Sequence, residues 1–562
     1  MKKLVILIAA VFFLMSCRPA VDREIRGTVS LSGTLQNTKS NSIKIGENSV
    51  LLDEKGVFNL QFDLNKADYF ILDCGEKFSL FITPGDNITL EANMENFLST
   101  LNFTGVGADV NNFLKDQTLL EEEHSSSIAP IINQIFSLNE EEFTAKLDSF
   151  NALFLNPLNE FLADHTSIDK KFAKYEKAKL LYSWAEGRLA YPQIHRGVTE
   201  DDSFVVSEKY YDFLSLLDLN DPDLLDVQEY SSFLVGYLDQ KKRKLKEKEP
   251  NFLSMDNQNT YLQNRVVLET FSNQSMKNLY LYEAMKNQIE NYGILGIEDL
   301  LEEFEPNCTE DKYLKQVRQL YDTDVSLRKD AETVIYKTVG NIPLEIHLFF
   351  PEEILPGAKK RPAIVFFHGG GWAVGKAEWA FSRCKYFASR GMVAASAQYR
   401  LLDRHNVTPL ECIADAKSAI RWIRQNADKF SIDPDQIVAG GWSAGGHIAA
   451  CAGIIEGLDE SQEDQAISSV PDAMVFWFPA VYLTDDSWFR QILKGKIDID
   501  DVNPVQNIRA GLPSTIIFQG TADTTTPFYG VKIFSDKMKE AGNRCDLHDH
   551  ESRGSKTAIF LY

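Results

Sequence analysis

The chain has 562 residues, 44% of them hydrophobic and 25% charged, an ordinary globular balance in a length too great for one core. Its 58 basic and 81 acidic side chains leave a net charge of −23, which argues against nonspecific binding to nucleic acid or to an anionic membrane surface. Seven cysteines stand at 17, 74, 308, 384, 412, 451 and 545 with no C-x-x-C pair, so neither a zinc knuckle nor a thioredoxin-type redox site is expected.

At the N-terminus, Met1-Lys2-Lys3 precedes an apolar run from Leu4 to Leu14 that is too short for a permanent membrane span. The sequence Leu14-Met15-Ser16-Cys17 that follows resembles a bacterial lipobox. That resemblance implies a signal peptide over 1–17, cleavage before Cys17 and lipid attachment to its thiol. The protein is then a membrane-anchored lipoprotein of the cell envelope, on the periplasmic side or at the cell surface.

Residues 18–108 read as a β-sandwich-like domain. Short alternating runs such as Val57-Phe58-Asn59-Leu60-Gln61-Phe62 and Phe78-Ser79-Leu80-Phe81-Ile82 are separated by turn signals at Asp53-Glu54-Lys55-Gly56 and Pro84-Gly85-Asp86-Asn87. The layout resembles the small β domain that opens many bacterial lipoproteins. Residues 109–328 change to a helical period, and helices are predicted at 133–138, 172–189, 230–248 and 263–288.

Residues 329–562 alternate strand and helix, the pattern of a doubly wound α/β sheet. An opening antiparallel pair is predicted near 334–349. Buried strands follow at 363–367, 392–397, 437–439, 474–478 and 515–518, with the clearest helix at 411–423. Two motifs sit where such strands end. His368-Gly369-Gly370-Gly371-Trp372 follows the first buried strand and offers unobstructed backbone N–H groups to an oxyanion. Gly441-Trp442-Ser443-Ala444-Gly445 lies between a strand and a helix, the setting in which a serine becomes a nucleophile.

With Ser396-Ala397-Gln398-Tyr399-Arg400-Leu401 and the stretch Phe518 to Phe528 (FQGTADTTTPF), these motifs resemble α/β-hydrolase esterases of the hormone-sensitive-lipase and bacterial feruloyl- or acetyl-xylan-esterase-like type. The resemblance implies a serine hydrolase that cleaves carboxylic esters through an acyl-serine intermediate. Its substrate would be a small-molecule or carbohydrate ester. No residue cluster in the sequence implies a metal or an organic cofactor, and the acidic balance argues against a nucleic-acid partner. The resemblance assigns Ser443 as nucleophile, the N–H groups of Gly370, Gly371 and Ala444 as oxyanion hole, and Asp523 as triad acid. Asp523 also follows a predicted strand, where a parallel sheet presents its carboxyl ends to a site.

The triad base is expected after the acid. Only His548 and His550 follow Asp523, and alignment on Glu551 and Gly554 puts Ser555 at the base position. A serine cannot exchange protons near neutral pH as an imidazole does. Three readings stay open: His550 or His548 substitutes, the domain is a catalytically impaired binding or scaffold lipoprotein, or the C-terminal reading frame ends early. Trp488 and Phe489, between Pro479 and Asn503, are candidate acyl-pocket walls.

Overall fold

A computed structural model describes residues 27–249, 257–351 and 360–550. The signal peptide, Cys17 and Ser555 lie outside the described residues. The chain divides into two compact units, 1–237 and 238–562.

The first unit opens with eight strands in two four-stranded sheets. These are β1 (Gly27–Gln36), β2 (Ser42–Ile45), β3 (Asn48–Leu51), β4 (Val57–Leu64), β5 (Asp68–Asp73), β6 (Lys77–Ile82), β7 (Asn87–Asn93) and β8 (Asn102–Val106). The sheet orders are β4-β1-β7-β8 and β3-β2-β5-β6. Alternation along β1 buries Val29, Leu31 and Leu35, and β2 sends Ile43 and Ile45 into the same core. One face of each sheet is therefore dry, as the period-two pattern requires. Helices α1 (Ala108–Ile128), α2 (Glu140–Asp164) and α3 (Lys170–Thr199) follow. Phe113, Leu158 and Phe172 from these helices join the sandwich core.

After α4 (Gln228–Lys248) come α5 (Gln258–Thr270), α6 (Gln274–Tyr292), α7 (Glu298–Asn307) and α8 (Asp311–Arg328). The helix expected over 263–288 is thus two helices. The chain turns extended at Phe271, and Asn273 caps α6 by accepting from Ser275 N (2.8 Å) and Met276 N (3.3 Å).

The second unit also holds an eight-stranded sheet of order β16-β15-β14-β13-β11-β12-β10-β9. Its strands are β9 (Glu332–Val339), β10 (Ile342–Phe349), β11 (Arg361–Phe367), β12 (Val393–Ala397), β13 (Ile432–Ser443), β14 (Ala473–Pro479), β15 (Ser514–Gly520) and β16 (Cys545–His550). β9, β10 and β12 pair antiparallel, and every pairing from β12 through β11 to β16 is parallel. Side chains of β11 alternate between two cores. Ala363, Val365 and Phe367 belong to a core shared with α10 (Pro409–Gln425), α11 (Ala444–Ile454) and α12 (Phe528–Glu540). Ile364 and Phe366 meet α9 (Phe381–Ser389). The fold is α/β, with a sheet covered on both faces, following a β domain and a helical region.

Strand order reverses beside β11, whose neighbours are β12 and β13. Crevices at such reversals, beyond the carboxyl ends of the strands, are where open α/β sheets bind ligands. The turns after β11 and β13 carry the two glycine motifs. Cys74, Cys308, Cys384, Cys412, Cys451 and Cys545 are all buried and unpaired. Among the described residues no helix is long and apolar enough to cross a membrane.

Candidate active site

Ser443 ends β13 and caps α11 with φ 51° and ψ −123°, a backbone conformation that side-chain-bearing residues seldom adopt. The glycines around it are required sterically. A Cβ on Gly441 would lie under 3.0 Å from the backbone of Gly445. One on Gly445 would lie as close to the carbonyl oxygens of Phe367 and His368, and one on Gly446 would meet Pro479 Cβ. The elbow is therefore packed directly on the end of β11 and the start of the His368 loop. Ala480 N donates to Ser443 O (3.1 Å), which ties the elbow to the exit of β14.

The His368 loop is built on positive φ at Gly370 (118°), Gly371 (60°) and Trp372 (61°). Ala373 N and Val374 N both donate to Gly370 O (3.1 and 3.0 Å), closing a tight turn. Gly370 cannot carry a side chain, because its Cβ would fall under 3.0 Å from Val374 O. His368 points inward. Its ring stacks on Tyr399 with centroids 4.4 Å apart, its Nδ1 sits 2.6 Å from Gly369 O, and Tyr399 OH donates to its carbonyl (2.7 Å). Trp488 Nε1 donates to Gly371 O (3.1 Å), so the partly exposed indole covers this loop. Phe489 is fully buried against Trp372 and His447 and belongs to the core rather than to a pocket wall.

Asp523 follows β15 in a tight loop and is 5% exposed. Its Oδ1 accepts from Thr525 N and Thr526 N (2.9 Å each), and Thr526 Oγ1 donates to its Oδ2 (3.2 Å). The carboxylate is thereby fixed at the carboxyl edge of the sheet. Beside it a cleft of about 270 Å³ runs between the loops after β14 and β15. Tyr482, Asp485, Thr525, Pro527 and Tyr529 are among its walls, and the two tyrosine rings meet edge-on at 5.5 Å. Tyr482 and Tyr529 escaped notice in the sequence, where neither sits in a motif.

All nine histidines of the chain lie within the described residues, and none hydrogen-bonds Ser443 or Asp523. His550 ends β16 opposite Gly520, with its side chain exposed and its carbonyl accepting from Thr521 N (3.0 Å). His548 stacks on Phe518 at 5.3 Å. The structure thus brings Ser443 and the glycine loop together and leaves His550 at the sheet edge.

Residues 349–538 match the profile of the family BD-FAE. A probable isoprenylcysteine alpha-carbonyl methylesterase of Oryza sativa subsp. japonica is 27% identical over 255 residues, covering 42% of this chain and 59% of its own length. Esterase LipC of Mycobacterium tuberculosis is 27% identical over 218 residues, 36% of this chain and 53% of its own length. The chain thus spans less than two thirds of the length of these curated relatives. The apo form of Thermogutta terrifontis esterase 2 aligns at 44% identity and a TM-score of 0.39, over 40% of this chain and 84% of that one. The C-terminal domain is an α/β-hydrolase of the esterase type.

Other histidines of the hydrolase domain do structural work. His447, one turn into α11, receives Trp372 Nε1 at Nδ1 (3.1 Å) and donates from Nε2 to Val502 O (2.8 Å). Burial pushes its pKa from 6.5 down to about 4, and His368 and His347 are lowered to about 4 for the same reason. His347 is fully buried on β10 beside Thr333 Oγ1 (2.8 Å). Among the described residues no group of three or more His, Cys, Asp or Glu side chains could hold a metal ion.

Proposed function

We propose that the C-terminal domain cleaves carboxylic esters, with Ser443 as nucleophile. The observation that carries this reading is the strained elbow. A serine held at φ 51° between sterically required glycines, in a domain of the esterase type, has the strained backbone of a nucleophile elbow. The hydroxyl gives its proton to the base and attacks the ester carbonyl; the tetrahedral intermediate expels the alcohol, which takes that proton, and water then hydrolyses the acyl-serine to the free acid. The N–H groups of Gly370, Gly371 and Ala444 stabilise the oxyanion. Those of Gly370 and Gly371 donate to no acceptor among the described residues, so they are free to do so. Asp523 is the acid, and His550, at the carboxyl end of β16, is the base. The cleft of about 270 Å³ between Tyr482 and Tyr529 takes a small or aromatic group of the ester, on carbohydrate or on another small molecule.

The test is turnover of p-nitrophenyl acetate together with labelling by a fluorophosphonate. Ser443→Ala is expected to abolish labelling and lower kcat by about 10⁴-fold or more, and His550→Ala by about 10⁴-fold with labelling slowed in parallel. Unchanged turnover in Ser443→Ala overturns the mechanism. Loss in His548→Ala but not in His550→Ala reassigns the base. A wild type that neither labels nor turns over points instead to a binding or scaffold lipoprotein. We also infer lipid attachment at Cys17. Metabolic labelling with a radiolabelled fatty acid should mark the wild type and not Cys17→Ala.

A further inference from the structure

The stretch that matches an esterase profile begins at residue 349, yet the glycine loop is held from outside it. Helix α6 ends at Tyr292, and its last carbonyls have no partner within the helix. Three groups of the hydrolase domain satisfy them. Lys376 Nζ donates to Ile289 O (2.9 Å), Gly375 N to Asn291 O (2.8 Å) and Arg404 Nη1 to Tyr292 O (3.0 Å). Two of these donors are cations, which the negative end of a helix favours.

Helix α8 grips the same segment. Asp324 Oδ2 accepts from Lys376 Nζ at 2.6 Å, and both side chains are at least nine-tenths buried. Arg328, one turn on, donates to Glu378 Oε1 (2.6 Å) and to Glu345 Oε2 (3.1 Å). The grip reaches the oxyanion donors in two steps. Gly375, at φ 129°, leaves no room for a Cβ against the His368 ring and Gly369 O. Val374 N closes the turn on Gly370 O. A shift of Gly375 or Lys376 therefore moves His368, Gly369 and Gly370 with it.

We propose that α6 and α8 form a positioning element for the glycine loop, and that Lys376, clamped between Asp324 and the end of α6, is its positioning residue. This rests on the reading of Gly370 and Gly371 as oxyanion donors. The catalytic unit is then larger than the esterase-matched stretch and includes the helices from 274 to 328. A loop set by four separate bonds holds its N–H groups aimed before the oxyanion forms, which is what preorganised stabilisation needs. Displacement of the donors by about 1 Å can cost on the order of 10²-fold in rate.

The experiment uses the full chain and two variants, Lys376→Met and the milder Asp324→Asn, which leaves Lys376 bonded to Ile289 O. Hydrogen exchange of the peptide spanning 369–376 should quicken by about 10-fold or more in both. Peptides of β13 and β15 should keep wild-type exchange, which shows that the sheet is still folded. With p-nitrophenyl acetate, kcat should fall by about 10-fold to 100-fold with KM within about threefold, and Lys376→Arg should recover part of it. Wild-type exchange in the loop of both variants overturns the proposal, as does a rise in KM at unchanged kcat. If the wild type shows no Ser443-dependent turnover, the esterase reading fails, and the exchange measurement still decides whether the helices hold the loop.

Discussion

Single residues at the elbow carry backbone strain and close contacts. Ser443 is held in a region of backbone space that costs on the order of 1–3 kcal/mol for a residue with a Cβ. Ser443→Gly should therefore unfold at a higher temperature than Ser443→Ala, which keeps the strain, while both lose Ser443-dependent labelling. A calorimetric scan that ranks the two the other way removes the claim of strain. Gly445 is constrained from the opposite side, since its Cβ would overlap the carbonyl oxygens of Phe367 and His368. Gly445→Ala should lower the melting temperature by several degrees, or leave the protein insoluble, because the overlap is with backbone and cannot be relieved by a rotamer change. Both glycines of the pentapeptide were legible in the sequence, because steric necessity at a sharp turn leaves a fixed spacing. The choice between His548 and His550 as base was not, because neither carries a local pattern that sets it apart.

Elements show the same division between local and tertiary signals. The strands of the hydrolase sheet were readable as apolar runs, because strands buried on both faces need no alternation. Helix α10 was clear from its apolar spacing and spans Pro409–Gln425, slightly longer than expected. The break between α5 and α6 was missed, because Phe271 is buried and continues the apolar period across it. Ser272-Asn273 carried the signal, an N-cap residue inside an otherwise helical stretch. Asn273→Ala should cost about 1 kcal/mol, seen as a lower urea midpoint with an unchanged slope. Trp488 and Phe489, adjacent in sequence, divide between covering the Gly371 carbonyl and filling the core. No propensity distinguishes them, because only the direction of the short helix Ser487–Leu493 does.

For the whole molecule the buried histidines set a pH limit. His347, His368 and His447 titrate near 6.5 when the chain is unfolded and near 4 when it is folded. Between those values the unfolded chain binds more protons, so stability rises with pH there and is lost as pH falls from about 6.5 toward 4. Each gap is worth about 3 kcal/mol at its full extent. The melting temperature should drop steeply between pH 6.5 and 4, and His447→Gln should flatten part of that slope. An equal slope in the variant would show that carboxylates dominate acid unfolding instead.

The six buried, unpaired cysteines among the described residues give the molecule a record of its own opening. Burial raises the pKa of each thiol, so little reactive thiolate forms while the fold is closed. A maleimide added to the native protein would therefore count openings rather than molecules. Cys74 reports for the first unit, and Cys308, Cys384, Cys412, Cys451 and Cys545 report for the second. Peptide mapping after timed labelling would give two separate clocks from one unmodified chain. Their rates would tell whether the β-rich half and the hydrolase half come apart together or in turn.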